Sequence, residues 1–146
     1  MEKRLSERLA AIVAALPLHE DLRVLEIGCG PGAMARAMAS LMRKGYVLGI
    51  DRSAKAIKQA ITGSAEEIRS GKLSFRQVSV EAFDLKPGEK PFDVAVAIRV
   101  GALDGRHPEA EKQALHKIAR ALKKEGKLYI DGGNPLKEVP LQAFRK

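Results

Sequence analysis

Cysteine and aromatic residues are scarce in this sequence; the first shortage excludes disulfides within the chain, and the second disfavours one class of partner. Cys29 is the only cysteine among 146 residues, so no disulfide can form within the chain. Neither the Cys/His spacing of zinc sites nor a His-Glu-x-x-His run is present, so we expect no metal site. Aromatic residues make up only 4% of the chain, which weakens the case for a nucleic-acid surface.

Long apolar runs are also missing. The run at residues 9–18 is too short to span a bilayer and follows Glu7 and Arg8, which favours an amphipathic helix. The net charge of +8 favours anionic partners, but lysine and arginine are mixed with glutamate along the predicted helices, as on an ordinary solvated surface. We therefore predict a reduced, cytoplasmic protein without membrane contact, and keep RNA or DNA binding as an alternative.

Length and hydrophobic spacing predict one α/β domain. With 45% hydrophobic residues, the chain can bury one ordinary core, which we divide into an N-terminal helix (1–16), a core (22–131) and a tail (132–146). Helical spacing alternates with short apolar runs, and one helix is expected to break at Gly63 and Ser64. This pattern predicts a doubly wound, mostly parallel sheet of about five strands with helices on both faces. The predicted strands are residues 22–27, 46–50, 73–80, 92–98 and 127–130.

Glycine is concentrated at one turn, where the first predicted strand meets a helix. Gly28, Gly30 and Gly32 stand there beside Cys29. Gly28 and Gly30 can adopt backbone angles barred to other residues, so a ligand can approach the backbone closely. NAD and FAD enzymes use similar spacing, and the loop alone therefore leaves the ligand open.

Two acidic residues narrow the choice of ligand. Glu26 lies at the carboxyl end of a buried strand, where even a neutral polar group without a partner costs about 2–7 kcal/mol. A ligand with an ammonium and a sulfonium would meet that need, whereas bonds to nearby backbone N–H groups are the alternative. Asp51 follows Gly28 by 23 positions, a spacing typical of an acid that binds ribose hydroxyls, although it could instead cap the next helix.

The sequence resembles the class I S-adenosylmethionine-dependent methyltransferases through residues 24–32, 49–53 and 92–97, within a match from about residue 20 to 131. The resemblance implies a Rossmann-like fold with the methionine moiety at the glycine loop, the ribose at the acid after the second strand, and adenine near the end of the third. It implies S-adenosyl-L-methionine as cofactor, bound by Glu26, Gly28, Cys29, Gly30, Gly32, Asp51, Arg52, Ser79, Val80, Glu81 and Ile98.

Two segments depart from the family pattern. Many members have Gly-Asp-Ala where this chain has Val78, Ser79 and Val80, so a hydroxyl or a backbone N–H would replace a carboxylate at adenine. Arg52 stands where an apolar residue often packs on the adenine ring, and its guanidinium could stack there instead.

The acceptor side is expected beyond the fourth strand, at residues 98–107, because open α/β sheets bind ligands at the carboxyl ends of their strands. Arg99 could hold an anionic acceptor, and Asp104 or His107 could accept a proton. For each of them, a structural role in the loop or at a helix cap is the alternative. The Asn-Pro-Pro-Tyr signature of exocyclic amine methylation is missing, and no catalytic residue is assigned. The methyl acceptor, whether small molecule, protein or RNA, is left open.

The C-terminal part is shorter than in the family, whose sheet usually continues with two further strands. Only residues 131–146 follow the predicted fifth strand. We expect that strand to have a free edge, which either the tail covers or a second copy or partner chain pairs with.

Three functions remain open at this point. The first is an S-adenosylmethionine-dependent methyltransferase, and the second is a non-catalytic or partner-dependent module that binds the same cofactor. The third is an NAD(P)-dependent oxidoreductase, in which Arg52 would meet a 2′-phosphate, but Asp51 and Glu26 disfavour it.

Overall fold

Helices and strands alternate along the chain in the computed structural model, which describes residues 5–145. The first, second and fourth strands are each followed by at least one α-helix and the third by a short 3-10 turn, as expected for parallel strands joined by crossovers. The elements are α1 (Glu7–Ala15), β1 (Arg23–Ile27), α2 (Ala33–Leu41), β2 (Tyr46–Asp51), α3 (Ala54–Thr62), α4 (Ala65–Arg69), β3 (Leu73–Gln77), β4 (Phe92–Ala97), α5 (Pro108–Ala121), β5 (Leu122–Asp131) and β6 (Leu136–Val139).

The sheet confirms the predicted doubly wound α/β class. Its strand order is β3-β2-β1-β4-β5-β6, with β6 antiparallel and the others parallel. Alternate residues of β1 enter opposite cores: Val24 joins the cluster under α1 and α2, whereas Leu25 and Ile27 join the cluster under α5. The strand order reverses between β1 and β4, and folds of this kind have a ligand-binding crevice at that point, at the carboxyl ends of the strands.

Of the two outcomes left open for the edge of the fifth strand, the structure shows the first: the tail covers it, and the sheet has one strand more than the five predicted. After Asp131 the chain turns back, and β6 pairs with β5 from Asp131↔Leu136 to Leu128↔Val139. Leu141, just beyond β6, is 4% exposed and belongs to the core under α5. The tail therefore covers its own sheet, which has six strands in the part of the chain described, and the proposed self-association through β5 loses its geometric motive.

Several predicted boundaries also shift. The third strand ends at Gln77, and Val80–Ala82 forms a short 3-10 turn instead. Ser64 does break the helix between α3 and α4, as predicted, whereas residues 1–4 of the predicted first helix lie outside the described residues. Between residues 5 and 145, no helix is both long and apolar enough to cross a bilayer.

Candidate functional site

The glycine loop between β1 and α2 is attached to the neighbouring strand β2. The backbone N–H groups of Gly28 and Cys29 both donate to the carbonyl oxygen of Ile50, at 2.8 and 3.0 Å. Gly28 and Gly30 have φ values of +71° and +54°, a left-handed conformation that side chains with a Cβ disfavour. A Cβ on Gly28 would lie 2.9 Å from Cγ2 of Val100, so the loop also contacts the segment after β4.

Asp51, at the end of β2, accepts hydrogen bonds from the glycine loop and from the residue that precedes α3. Its Oδ2 accepts from the backbone N–H of Gly30 at 2.9 Å, and its Oδ1 accepts from the N–H of Ser53 at 2.9 Å. The cap of α3 comes from another side chain, since Ser53 Oγ accepts from the N–H of Ala56. Asp51 thus orders the loop and the entry to α3 together, and each carboxylate oxygen retains further accepting capacity.

Glu26 is buried under the same loop, with 4% of its surface exposed. Its Oε1 has no hydrogen-bond partner among the residues described, and the nearby Arg36 uses its Nη1 on the carbonyl of Pro31 and the hydroxyl of Ser64. Burial, and then the charge of Asp51, raise the pKa of Glu26 from 4.5 to about 8, although Arg36 opposes this. A buried carboxyl without a partner fits a cationic group at the loop.

The thiol of Cys29 is poorly suited to act as a nucleophile at this site. Cys29 is buried, and burial raises the pKa of its thiol, with further contributions from the charges of Glu26 and Asp51. Because the thiolate is the reactive form of cysteine, this side chain is an unreactive part of the loop.

A cavity of about 400 Å³ opens at the carboxyl ends of β1, β2 and β4, a volume within the usual range for small-ligand sites. It gathers segments that are distant in sequence: the glycine loop, the end of β2, the turn after β3 and the loop before α5. Its lining residues are Ile27, Gly28, Ile50, Asp51, Arg52, Val78, Ser79, Val80, Glu81, Arg99, Val100, Gly101, Ala102, Arg106, His107 and Ala110.

Most of the predicted site residues meet at this cavity, but six do not line it. Glu26, Cys29, Gly30 and Gly32 belong to the strand end and loop beside it, Ile98 is the residue after β4, and Asp104 lines only the neighbouring cavity. Their proposed roles in cofactor or acceptor binding stay predictions.

A second cavity of about 740 Å³ adjoins the first. The two cavities share the wall formed by Arg99, Val100, Gly101 and Arg106. Sequence reasoning did not single out Arg106, although it lies between Asp104 and His107 in the predicted acceptor segment and adds a third positive residue to the first cavity.

Asp104 is less suited to accept a proton than the sequence predicted. It accepts hydrogen bonds from the backbone N–H and the Nε of Arg106, at 3.0 and 2.7 Å. These bonds, the backbone one first, hold the pKa of Asp104 below its ordinary value. Within residues 5–145, no group of three or more His, Cys, Asp or Glu side chains lies close enough together to hold a metal ion.

Comparison with known protein families gives one match that covers most of the chain. The profile of a family described as "Methyltransferase domain" matches residues 18–146. A ubiquinone biosynthesis O-methyltransferase from Caulobacter vibrioides is 34% identical over 118 residues, which cover 80% of this chain and 43% of that protein. The chain thus spans less than half the length of this relative.

Solved structures give the same fold. A methyltransferase from Thiobacillus denitrificans, described as SAM-dependent and in complex with S-adenosyl-L-homocysteine, superposes with a TM-score of 0.67 at 24% identity, over 86% of this chain and 48% of that one. A structure described as the [4+2]-cyclase SpnF superposes with a TM-score of 0.69 at 27% identity, over 84% of this chain and 43% of that one.

Proposed function

Because the chain belongs to the class I S-adenosylmethionine-dependent methyltransferases, we propose that it transfers the methyl group of S-adenosylmethionine to an oxygen atom of a small acceptor. The choice of oxygen is supported by relatives described as O-methyltransferases of ubiquinone biosynthesis. The missing Asn-Pro-Pro-Tyr signature supports the same choice, because it disfavours exocyclic amines. As the chain spans 30% and 43% of two such relatives, the activity and acceptor of the whole protein are part of this proposal.

The observation that carries the proposal is the buried carboxyl of Glu26, whose Oε1 has no partner beside a cavity of about 400 Å³. S-adenosylmethionine, the cofactor of this family, supplies an electrophilic methyl group on a sulfonium and also carries an ammonium. Either positive group would lower the cost of ionising Glu26. A pyrophosphate would raise that cost, which disfavours the NAD(P) alternative.

The other residues would orient the cofactor in the first cavity. Asp51 retains acceptor capacity for ribose hydroxyls, in addition to its two backbone bonds. Ser79, Val80 and Glu81 follow β3 and line the same cavity, where they would bound the adenine. Arg52 also lines it, and its guanidinium would stack on the adenine ring.

The acceptor would lie at the shared wall, since methyl transfer needs the attacking oxygen in line with the methyl carbon. His107 lines the first cavity and precedes α5, so we assign it the proton of the attacking hydroxyl. Asp104 is less suitable because its carboxylate is already bonded to Arg106.

Calorimetric titration with S-adenosylmethionine, S-adenosylhomocysteine and NADH tests the cofactor, and a transfer assay with methyl-labelled cofactor over a pool of small hydroxyl and carboxyl compounds tests the activity. We expect the first two ligands to bind and the third to fail. Binding of NADH alone would refute the proposal.

A second candidate is a module that binds the cofactor without transferring its methyl group. The similarity to a structure described as a cyclase favours considering it. Tight binding of S-adenosylmethionine without transfer of label to any hydroxyl or carboxyl compound would favour this second candidate over the first.

A further inference from the structure

The wall between the two cavities contains one residue with an unusual backbone. Arg99 has a φ of +57°, and among residues 5–145 no other residue except glycine has a positive φ. Such conformations are costly for side chains with a Cβ and persist where surrounding contacts hold them, often at ligand sites. The backbone of Arg99 is therefore held in a left-handed conformation that the residue by itself disfavours.

The contact that holds Arg99 comes from the end of β5. Asp131 Oδ1 accepts from the backbone N–H of Arg99 at 3.1 Å, and Asp131 Oδ2 pairs with Nη2 of Arg8 in α1 at 3.0 Å. One carboxylate thus joins α1, β5 and the segment after β4. The guanidinium of Arg99 takes no part in this link and is left exposed.

Most acidic side chains around the second cavity are already neutralised. Of the four carboxylates that line it, three have a cationic partner. The salt bridges join Asp104 to Arg106, Asp131 to Arg8, and Glu138 to Lys127.

Two cations on the same cavity have no such partner. Within the described part of the chain, no carboxylate lies at ion-pair distance from Arg99 or from Lys137, and both side chains are exposed. Glu111 is the one acid of the lining without a cationic partner there, and it lies in the first turn of α5, where the helix dipole favours a negative charge. Arg99 and Lys137 are thus free to bind an anion.

We propose that Arg99 and Lys137 form a subsite for an oxyanionic group on the acceptor, a carboxylate or a phosphate, with Asp131 as the residue that positions Arg99. This inference rests on the proposed function, because it names the class of acceptor. The fork of a guanidinium fits either oxyanion through two parallel hydrogen bonds, and the ammonium adds a second charge. Because Arg99 lies on the shared wall, an acceptor held there would extend toward the first cavity.

The test is a set of titrations of the full chain, labelled with ¹⁵N and saturated with S-adenosylhomocysteine, followed by NMR. Three matched pairs differ only in the anion: acetate and acetamide, 4-hydroxybenzoate and 4-hydroxybenzamide, and phenyl phosphate and phenol. We expect at least one anion to bind about tenfold more tightly than its neutral match and to shift the amide signals of Arg99 and Lys137. The pair that shows the preference identifies carboxylate or phosphate.

Variants assign the preference to these residues. Arg99→Gln and, separately, Lys137→Gln should each reduce it several-fold, and Asp131→Asn should reduce it while moving the amide signal of Arg99. Lys124→Gln removes the same charge from an exposed residue near the other end of β5, and should leave the preference unchanged.

Three results would overturn the subsite: no preference in any pair, a preference that survives in both glutamine variants, or a loss of S-adenosylhomocysteine affinity in Arg99→Gln as large as the loss of anion affinity. The third would mean that Arg99 binds the carboxylate of the cofactor. An intact anion preference in a protein that transfers no labelled methyl group would instead refute the proposed activity and leave the subsite standing.

Discussion

The carboxylate of Asp51 accepts a hydrogen bond from the backbone N–H of Gly30 at 2.9 Å, which joins the end of β2 to the middle of the glycine loop. The same carboxylate also receives the N–H of Ser53. The residue proposed to bind the ribose therefore also fixes the loop at which the methionine moiety would lie. Such preorganisation reduces the conformational cost of binding.

Replacing Asp51 with alanine should weaken cofactor binding by about 1.5–3 kcal/mol, because a hydrogen bond to a charged group is lost. Stability should fall as well, since two backbone donors lose their acceptor. Asp51→Asn keeps one acceptor oxygen and should lie between the wild type and Asp51→Ala. Calorimetry with S-adenosylhomocysteine and urea unfolding measure the two effects.

A control for Asp51 is Asp84→Ala, which removes a 62% exposed carboxylate from its pair with the partly buried Lys117 and should change neither quantity by more than about 1 kcal/mol. Wild-type cofactor affinity in Asp51→Ala would remove Asp51 from the binding site.

Gly30→Ala and Gly88→Ala form a matched pair of variants. Both glycines have a positive φ, +54° and +80°, and a Cβ on either would meet no atom within 4 Å. Each variant should lose about 1–2 kcal/mol of stability through backbone strain alone. Only Gly30→Ala should also weaken the binding of S-adenosylmethionine, because its Cβ would lie in the proposed cofactor loop. Equal affinities in the two variants would show that the loop is not the site.

Stability should depend on pH through Glu26. Its folded pKa is raised to about 8 from 4.5, so between these values the folded state holds a proton that the unfolded state has lost. The contribution of protonated Glu26 to the free energy of unfolding is fully present below pH 4.5 and is lost as the pH rises to about 8. Across that pH range the wild type should lose roughly 3–5 kcal/mol more unfolding free energy than Glu26→Gln, as measured by urea unfolding of both proteins. Parallel curves at every pH would contradict the raised pKa.

Binding of S-adenosylmethionine near pH 7 should release a proton from Glu26, since the cationic ligand favours the ionised carboxylate. Calorimetry in two buffers of different ionisation enthalpy counts the protons released. Glu26→Gln is the control, because it retains any proton exchange of the ligand itself and loses that of the side chain. If wild type and Glu26→Gln release equal numbers of protons, Glu26 stays neutral in the complex.

The tail should behave as part of the core rather than as an interface. Leu141 is 4% exposed, and Leu141→Ala should cost about 2–5 kcal/mol of unfolding free energy. Ile61→Ala, at a site 46% exposed, should cost less than about 1 kcal/mol. Deleting residues 136–146 should cause aggregation or loss of cooperative unfolding, because it frees the edge of β5. A soluble, cooperatively folding deletion variant would contradict this structural role.

Much of the fold was predictable because its signals are local. Apolar runs such as residues 46–50 appear as strands, and Gly28 and Gly30 mark the turn after β1. The strand β6 was missed because Leu136–Val139 is short and has two charged residues in its middle, so only pairing with β5 identifies it.

Some residues of the candidate site were likewise predictable from local sequence, and others depend on packing between distant segments. Glu26, Gly28 and Asp51 were predicted from their spacing around one turn, whereas the place of Arg106 on both cavities depends on how the loop before α5 packs. The left-handed backbone of Arg99 has no signature in sequence, because a carboxylate from a distant strand holds it.

The contact between Gly28 and Val100 has a thermodynamic consequence. Val100 lies on both cavities and approaches the glycine loop so closely that a Cβ on Gly28 would stand 2.9 Å from its Cγ2. A ligand that displaces Val100 from either side therefore changes the room available on the other. If the cofactor and the acceptor bind in the two cavities as proposed, any free-energy coupling between them through Val100 must be reciprocal: whatever factor the cofactor applies to acceptor affinity, the acceptor applies to cofactor affinity.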